Sequence, residues 1–158
     1  MRAATVEALA VFKDRVPEEV IKDIAGWLRD VNGYVRAAAV EALVKLEDRV
    51  PEEVIKDIAG WLRDDEWYAR EAAVEALVKL KDRVPEEAIK DIVARLRDDK
   101  WYAREATAKA LAVFKGRIPE EVIMDIAGLL RDDDREVRES AYRTLKIFYE
   151  SGIPLPGQ

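Results

Sequence analysis

The sequence predicts an all-α fold, a stack of antiparallel helix pairs, and three observations support this. Prolines at 17, 51, 85 and 119 open closely similar segments, so the chain repeats every 34 residues without an insertion, a period in the range of stacked repeats. Within each period the apolar residues recur at helical spacing rather than alternating. The connections are also too short to let neighbouring helices run parallel.

The chain opens with residues 1–16, which match the second half of a repeat: Ala4-Thr5-Val6-Glu7-Ala8-Leu9 aligns with Ala38-Ala39-Val40-Glu41-Ala42-Leu43. Natural arrays more often start with a polar cap, so this half repeat reads as the start of an excised or engineered array. The first full repeat, 17–50, begins with helix A from Pro17 to Arg29, striped by Val20, Ile21, Ile24, Trp27 and Leu28. Proline fits the first helical position, and Glu18 and Glu19 place negative charge at the positive end of the helix dipole. Asp30-Val31-Asn32-Gly33 breaks the pattern. Helix B then runs from Tyr34 to Leu46, with Val35, Ala38, Ala39, Ala42, Leu43 and Leu46 on one face, the alanines allowing close helix approach. Asp48-Arg49-Val50 turns the chain into the next proline.

Repeat 51–84 changes mainly at the A–B turn, where Asp65, Glu66 and Trp67 replace Val31, Asn32 and Gly33. Repeat 85–118 puts Ala94 and Arg95 where its predecessor has Gly60 and Trp61. The B helix of repeat 119–150 is more polar, as suits a terminal cap. Residues 151–158 are expected to form an extended or frayed tail. One continuous array over 1–150 is therefore predicted. Trp27 and Trp61 are assigned to the core between repeats.

Composition narrows the function. Thirty-three acids against 27 bases give a net charge of −6, spread through every repeat. This argues against a nucleic-acid partner, which needs a cationic footprint. No apolar run approaches the ~18 residues of a membrane helix, and the N-terminus lacks a charged-then-apolar signal pattern; a cytoplasmic, non-membrane protein is expected. With no cysteine and no histidine, disulfides, thiol nucleophiles, imidazole bases and the common zinc sites are excluded. No metal or other cofactor is expected. The scarcity of Asn and Gln beside abundant Glu, Lys and Arg fits a thermostable protein, and composition does not separate a hyperthermophile's protein from an idealised design.

Two families with this period fail on their motifs. The tetratricopeptide repeat needs Trp-x-x-Leu-Gly-x-x-Tyr, which Ile24-Ala25-Gly26-Trp27-Leu28 does not supply, and ankyrin needs a histidine. The turn acids followed six residues later by arginine and an Ala-rich helix, Asp30/Arg36, Asp64/Arg70, Asp98/Arg104 and Asp132/Arg138, resemble the HEAT repeat. The likeness is to the short form in phycobilisome-lyase-like proteins and in artificial alphaRep scaffolds. It covers nearly the whole chain and implies an α/α superhelix, a right-handed solenoid. The connection Lys81-Asp82-Arg83-Val84-Pro85 replaces the glycine-containing turn of that family, so curvature does not carry over.

The resemblance also implies roles. Each of those arginines would reach the turn Asp of a neighbouring repeat in a structural ion-pair ladder. The B helices would line a concave surface, on which Trp67, Tyr68, Trp101 and Tyr102 occupy partner-contacting positions. On a helical wheel Trp67, Glu71, Val74, Glu75 and Val78 fall opposite the core stripe, as do Trp101, Glu105, Ala108, Lys109 and Ala112. Exposed Trp and Tyr beside charges are the usual anchors of protein interfaces. The partner-binding set is therefore Trp67, Tyr68, Glu71, Glu75, Trp101, Tyr102, Glu105 and Lys109, to be weighed against burial of the same valines and indoles at repeat junctions.

Paired carboxylates such as Glu18/Glu19, Asp64/Asp65, Asp98/Asp99 and Asp132/Asp133/Asp134 sit at helix starts and turns, where solvated acids are favourable, and are not read as catalytic. The leading expectation is a non-catalytic scaffold for a protein or peptide. The alternative is a designed or architectural array without a natural ligand, self-associating through the N-terminal half repeat. Enzymes on HEAT-like folds, such as alkylpurine glycosylases and a diiron hydroxylase, need a basic groove or histidine ligands, so catalysis is the weakest reading.

Overall fold

A computed structural model describes residues 11–157. The part of the half repeat within residues 1–10, through which self-association was expected, lies outside the described residues. Eight α-helices follow in order among the described residues: α1 Glu18–Gly26, α2 Gly33–Lys45, α3 Glu52–Gly60, α4 Trp67–Lys79, α5 Glu86–Ala94, α6 Trp101–Leu111, α7 Glu120–Gly128 and α8 Arg135–Glu150. Short 3-10 turns join them. The chain divides into two compact units, Met1–Ala88 and Ile89–Gln158, with the division inside α5.

Each A helix starts one residue later than the sequence suggests. Pro17 and Pro51 are N-caps with extended backbone (ψ 151°) rather than first helical residues, and the Pro51 carbonyl accepts from Val54 N and Ile55 N. Proline serves here because a cap needs a carbonyl and no N–H. At the other end, α1 tightens into the 3-10 turn Trp27–Arg29. The buried stripe is Ile21, Ile24, Ala25 and Leu28, spaced i, i+3, i+4, i+7. Trp27 falls off that stripe and is 38% exposed, which corrects its assignment to the core. Trp61 is half-buried, with the Arg29 guanidinium 5.7 Å above its ring.

The recurrent turn Asp has a local task. The Oδ1 atoms of Asp30, Asp64, Asp98 and Asp132 accept from the backbone N–H two residues on, at 2.8, 2.9, 2.9 and 3.0 Å. This is an Asx turn, which mimics a backbone turn and starts the following B helix. Two helices add a true N-cap: Asn32 accepts from Tyr34 N, and Asp134 from Glu136 N and Val137 N.

In the first unit, packing between α2 and α4 buries Ala39, Ala42, Leu43, Ala69, Ala73, Ala76 and Leu77 almost completely. Small residues on both helices let the backbones approach. The B-to-A turns, legible in the sequence only as connections, carry a second device. Arg49 donates to the carbonyls of Lys13 and Val16, and Arg83 to that of Val50, so each turn is tied to the one a repeat earlier. Lys22–Glu53 and Lys56–Glu87, both 3.3 Å, join successive A helices, but their exposure makes them worth little.

In the second unit, α6 packs on α8 around Leu111, Phe114, Val137, Ala141 and Phe148. The Thr144 hydroxyl donates to the Ala108 carbonyl at 2.8 Å. Ala108 is fully buried, so its placement on the outward face was wrong: at this position a small side chain is covered by the next B helix.

The tail is not frayed where it leaves α8. Gly152 takes φ +81°, its N–H bonds Tyr149 O, and Ile153 N–H bonds Phe148 O, the paired bonds of a Schellman cap. Leu155 then returns to a groove with Leu130, Tyr142, Leu145 and Tyr149. The cap needs a left-handed residue, so Gly152→Ala is expected to destabilise α8 by about 1 kcal/mol. Thermal denaturation of the two forms checks this.

Candidate functional site

The first-unit candidate lies between α2 and α4. At equivalent positions the two helices carry very different side chains: Gly33 and Ala37 on α2, Trp67 and Glu71 on α4. The short residues cut back one wall, and a groove of about 310 Å³ results. Its far wall is formed by Trp67, Tyr68, Glu71 and Glu75, with Val74 at its base.

The aromatic pair is built outward from the turn. Arg36 Nη1 donates to the Asp30 and Val31 carbonyls at 2.7 and 3.0 Å, which holds the guanidinium 4.7 Å above the Tyr68 ring. Tyr68 in turn meets Trp67 edge to face, centroids 5.9 Å apart at 84°, a favoured aromatic geometry. Tyr68 is therefore half-buried while Trp67 stays 64% exposed. A large rigid apolar ring held in water by supports from beneath is the kind of group that anchors interfaces. Glu75, one turn beyond Glu71, is exposed.

In the second unit, Trp101 and Tyr102 repeat the edge-to-face pair at 5.7 Å and 81°. Trp101 is 41% exposed, and Lys100 lies 5.5 Å above the Tyr102 ring. Lys109 and Glu105 bond each other at 2.6 Å and are half-buried. These charges face one another, whereas on α4 the equivalent positions are two acids, Glu71 and Glu75.

The arginines of the expected ladder share a contact that the sequence did not reveal. Arg36, Arg70, Arg104 and Arg138 each donate Nη1 to the carbonyl of the turn Asp in their own repeat, at 2.7, 2.7, 2.8 and 2.7 Å. The i+6 spacing therefore staples a B helix to its own turn. Across repeats, Arg104 makes a two-pronged bond to Asp132 at 2.8 and 2.9 Å. In the first unit the equivalent acceptor, Asp64, instead receives Arg29 Nε at 2.7 Å. Arg36 does not take that place, because its guanidinium is turned to its own carbonyls and to Tyr68. Burial alone would raise the Asp132 carboxyl, but the bond from Arg104, the Asp134 N–H and the charges of Arg104 and Arg138 outweigh it and hold it below its ordinary range. The same bond to Asp132 raises Arg104 despite its partial burial.

What the sequence missed at the groove was the cut-back wall at Gly33 and Ala37 and the role of Arg36. Comparing the repeats position by position, rather than reading each helix alone, is the signal that finds them.

Helix pairs repeated in register, each turned by an Asx motif and stapled by an arginine, define an all-α solenoid-type repeat scaffold. HEAT repeats match the sequence at residues 1–78, 28–112 and 89–154, and the chain belongs to that family. No curated protein matches the chain. Among solved structures, an engineered protein is similar at 22% identity over 96% of this chain and 74% of its own, with a TM-score of 0.41. A second engineered protein is 22% identical over 91% of this chain, which spans 43% of that protein, also with a TM-score of 0.41. A designed armadillo repeat protein in complex with a (KR)4 peptide is 18% identical over 92% of this chain and 82% of its own, with a TM-score of 0.43. Among the described residues no helix is long and apolar enough to cross a membrane.

Proposed function

We propose that the chain is a non-catalytic scaffold that holds a protein or peptide partner on its B-helix surface, with the groove between α2 and α4 as the principal seat. The observation that carries this reading is Trp67: an indole 64% exposed, braced through Tyr68 and Arg36, and facing a wall from which side chains have been removed. A groove that accepts side chains beside a rigid aromatic suits an extended peptide or a protruding loop. The two carboxyls whose titration is displaced, Asp48 and Asp132, are both pushed down, opposite to the direction a general acid needs, which fits a non-catalytic role.

Panning a random peptide library on the full chain tests the reading, with two variants as controls. Trp67→Ala removes the anchor. Gly33→Trp with Ala37→Glu restores on α2 the residues found on α4 and fills the groove; a Cβ at Gly33 meets only the flexible end of Arg36 at 3.4 Å. Peptides enriched on the parent chain are expected to lose about 30-fold in affinity on Trp67→Ala and to be refused by the filled variant. Equal retention by all three forms, with unchanged helicity, would remove the groove from consideration.

A further inference from the structure

Resting on that reading, we infer that the α2–α4 groove selects a cationic side chain, an arginine or lysine in an extended peptide segment, seated against Trp67 and neutralised by the carboxylates beside it. Three features of the groove converge on this chemistry.

The first is the line of side chains along α4. Trp67, Glu71 and Glu75 are spaced four residues apart, so they stack on one face of the helix and all line the same groove. An indole face attracts a cation through its quadrupole. One or two turns away, a carboxylate can take the same guanidinium or ammonium by a charge-assisted bond.

The second is the charge on the opposite wall. Gly33 and Ala37 bring none, and one turn further Glu41 is an exposed acid at the α2 position equivalent to Glu75. Arg36 is the positive charge among the groove's lining residues, and it is committed to two backbone carbonyls and the Tyr68 ring. It therefore shapes the floor rather than inviting an anion. The net charge of −6 over the chain draws a basic segment in the same direction.

The third is where the acidic stretch ends. Lys45 and Lys79 follow Glu41 and Glu75 by four residues on their helices, so the favourable potential extends about two helical turns. A single basic side chain, or two at alternate positions of an extended strand, fits that length; a long polybasic tract would meet these lysines. The equivalent positions on α6 point the same way by contrast. There Glu105 is already paired with Lys109 at 2.6 Å, so the second unit lacks the open pair of acids.

The test uses the full chain and two seven-residue peptides of Ala, Ser and Gly that differ only at the central residue: arginine in one, citrulline in the other. Citrulline has the same shape without the charge. Two-dimensional amide NMR follows the Trp67 indole N–H, assigned by its absence in Trp67→Phe. The arginine peptide is expected to shift that signal and to bind about tenfold more tightly than the citrulline peptide at low salt, the difference shrinking as salt is added. Glu75→Gln, an exposed change that leaves the fold intact, should weaken the arginine peptide about threefold and leave the citrulline peptide unaffected. Equal affinity for the two peptides, no binding of the arginine peptide, or an arginine peptide indifferent to Glu75→Gln would each overturn the inference. The scaffold reading fails separately, by the library result: groove-dependent peptides with no excess of arginine or lysine would sink the cation claim and leave the scaffold standing.

Discussion

Phe148→Ala is expected to cost about 3–5 kcal/mol, among the largest losses available to any single substitution in this chain. The ring is fully buried in α8 and takes the position that Leu46, Leu80 and Phe114 take in earlier repeats, all of them buried. Removing it opens a cavity of most of a phenyl ring, which neighbours on two packed helices cannot collapse to fill. At the usual 2–4 °C per kcal/mol for a chain of this size, the melting temperature should fall by roughly 10 °C. The loss should also be local, because a repeat is stabilised mainly by its neighbours. Hydrogen exchange should quicken across α7 and α8 while amides of α2 and α4 keep their protection. Uniform loosening of every helix would show instead that the repeats share one cooperative core.

Asp132→Ala should be the next most damaging change tested here, at about 3 kcal/mol. It strips Arg104 of a two-pronged partner where both side chains are largely buried, 17% and 10% exposed, and it also deletes the Asx turn that starts α8. A pH series separates the charge from the turn. The carboxyl of Asp132 titrates below its ordinary value of 3.8 in the folded chain, so the unfolded chain takes up the proton more readily. The stability this contributes is therefore complete above the ordinary value and is lost as pH falls through the lower folded value. Asp132→Asn keeps the carbonyl oxygen for the turn and removes the charge. Its deficit relative to the parent should be full at pH 6 and should shrink steadily in acid below pH ~4. A deficit that stays constant down to pH 2 would mean that the Arg104 pair contributes nothing.

Much of the scaffold was legible in the sequence because the signals for it are local and repeated. The 34-residue spacing of the prolines locates each A helix to within one residue. The alanine-rich stripe of Ala39, Ala42 and Leu43 describes the buried face of α2 correctly. The turn acids were recognised as structural, although their first partner proved to be the backbone N–H two residues on. Errors came where a residue's environment depends on its neighbours. Trp27 was placed in the core by its apolar character, but the tightened helix end directs Leu28 inward in its stead. Ala108 and Trp101 lie on the same helix, yet Ala108 is covered by α8 and Trp101 is not.

The repeat length, the helix pairing, the turn chemistry and the exclusion of histidine- and cysteine-based catalysis all follow from the order of residues, because hydrophobic periodicity, capping and composition act over a few positions of the chain. The groove does not. It exists because Gly33 and Ala37 face Trp67 and Glu71 across a helix interface, and because Arg36 turns to its own carbonyls and braces Tyr68 instead of reaching Asp64. Those outcomes depend on which side chains meet across 34 residues of sequence, and packing, not local propensity, selects among them.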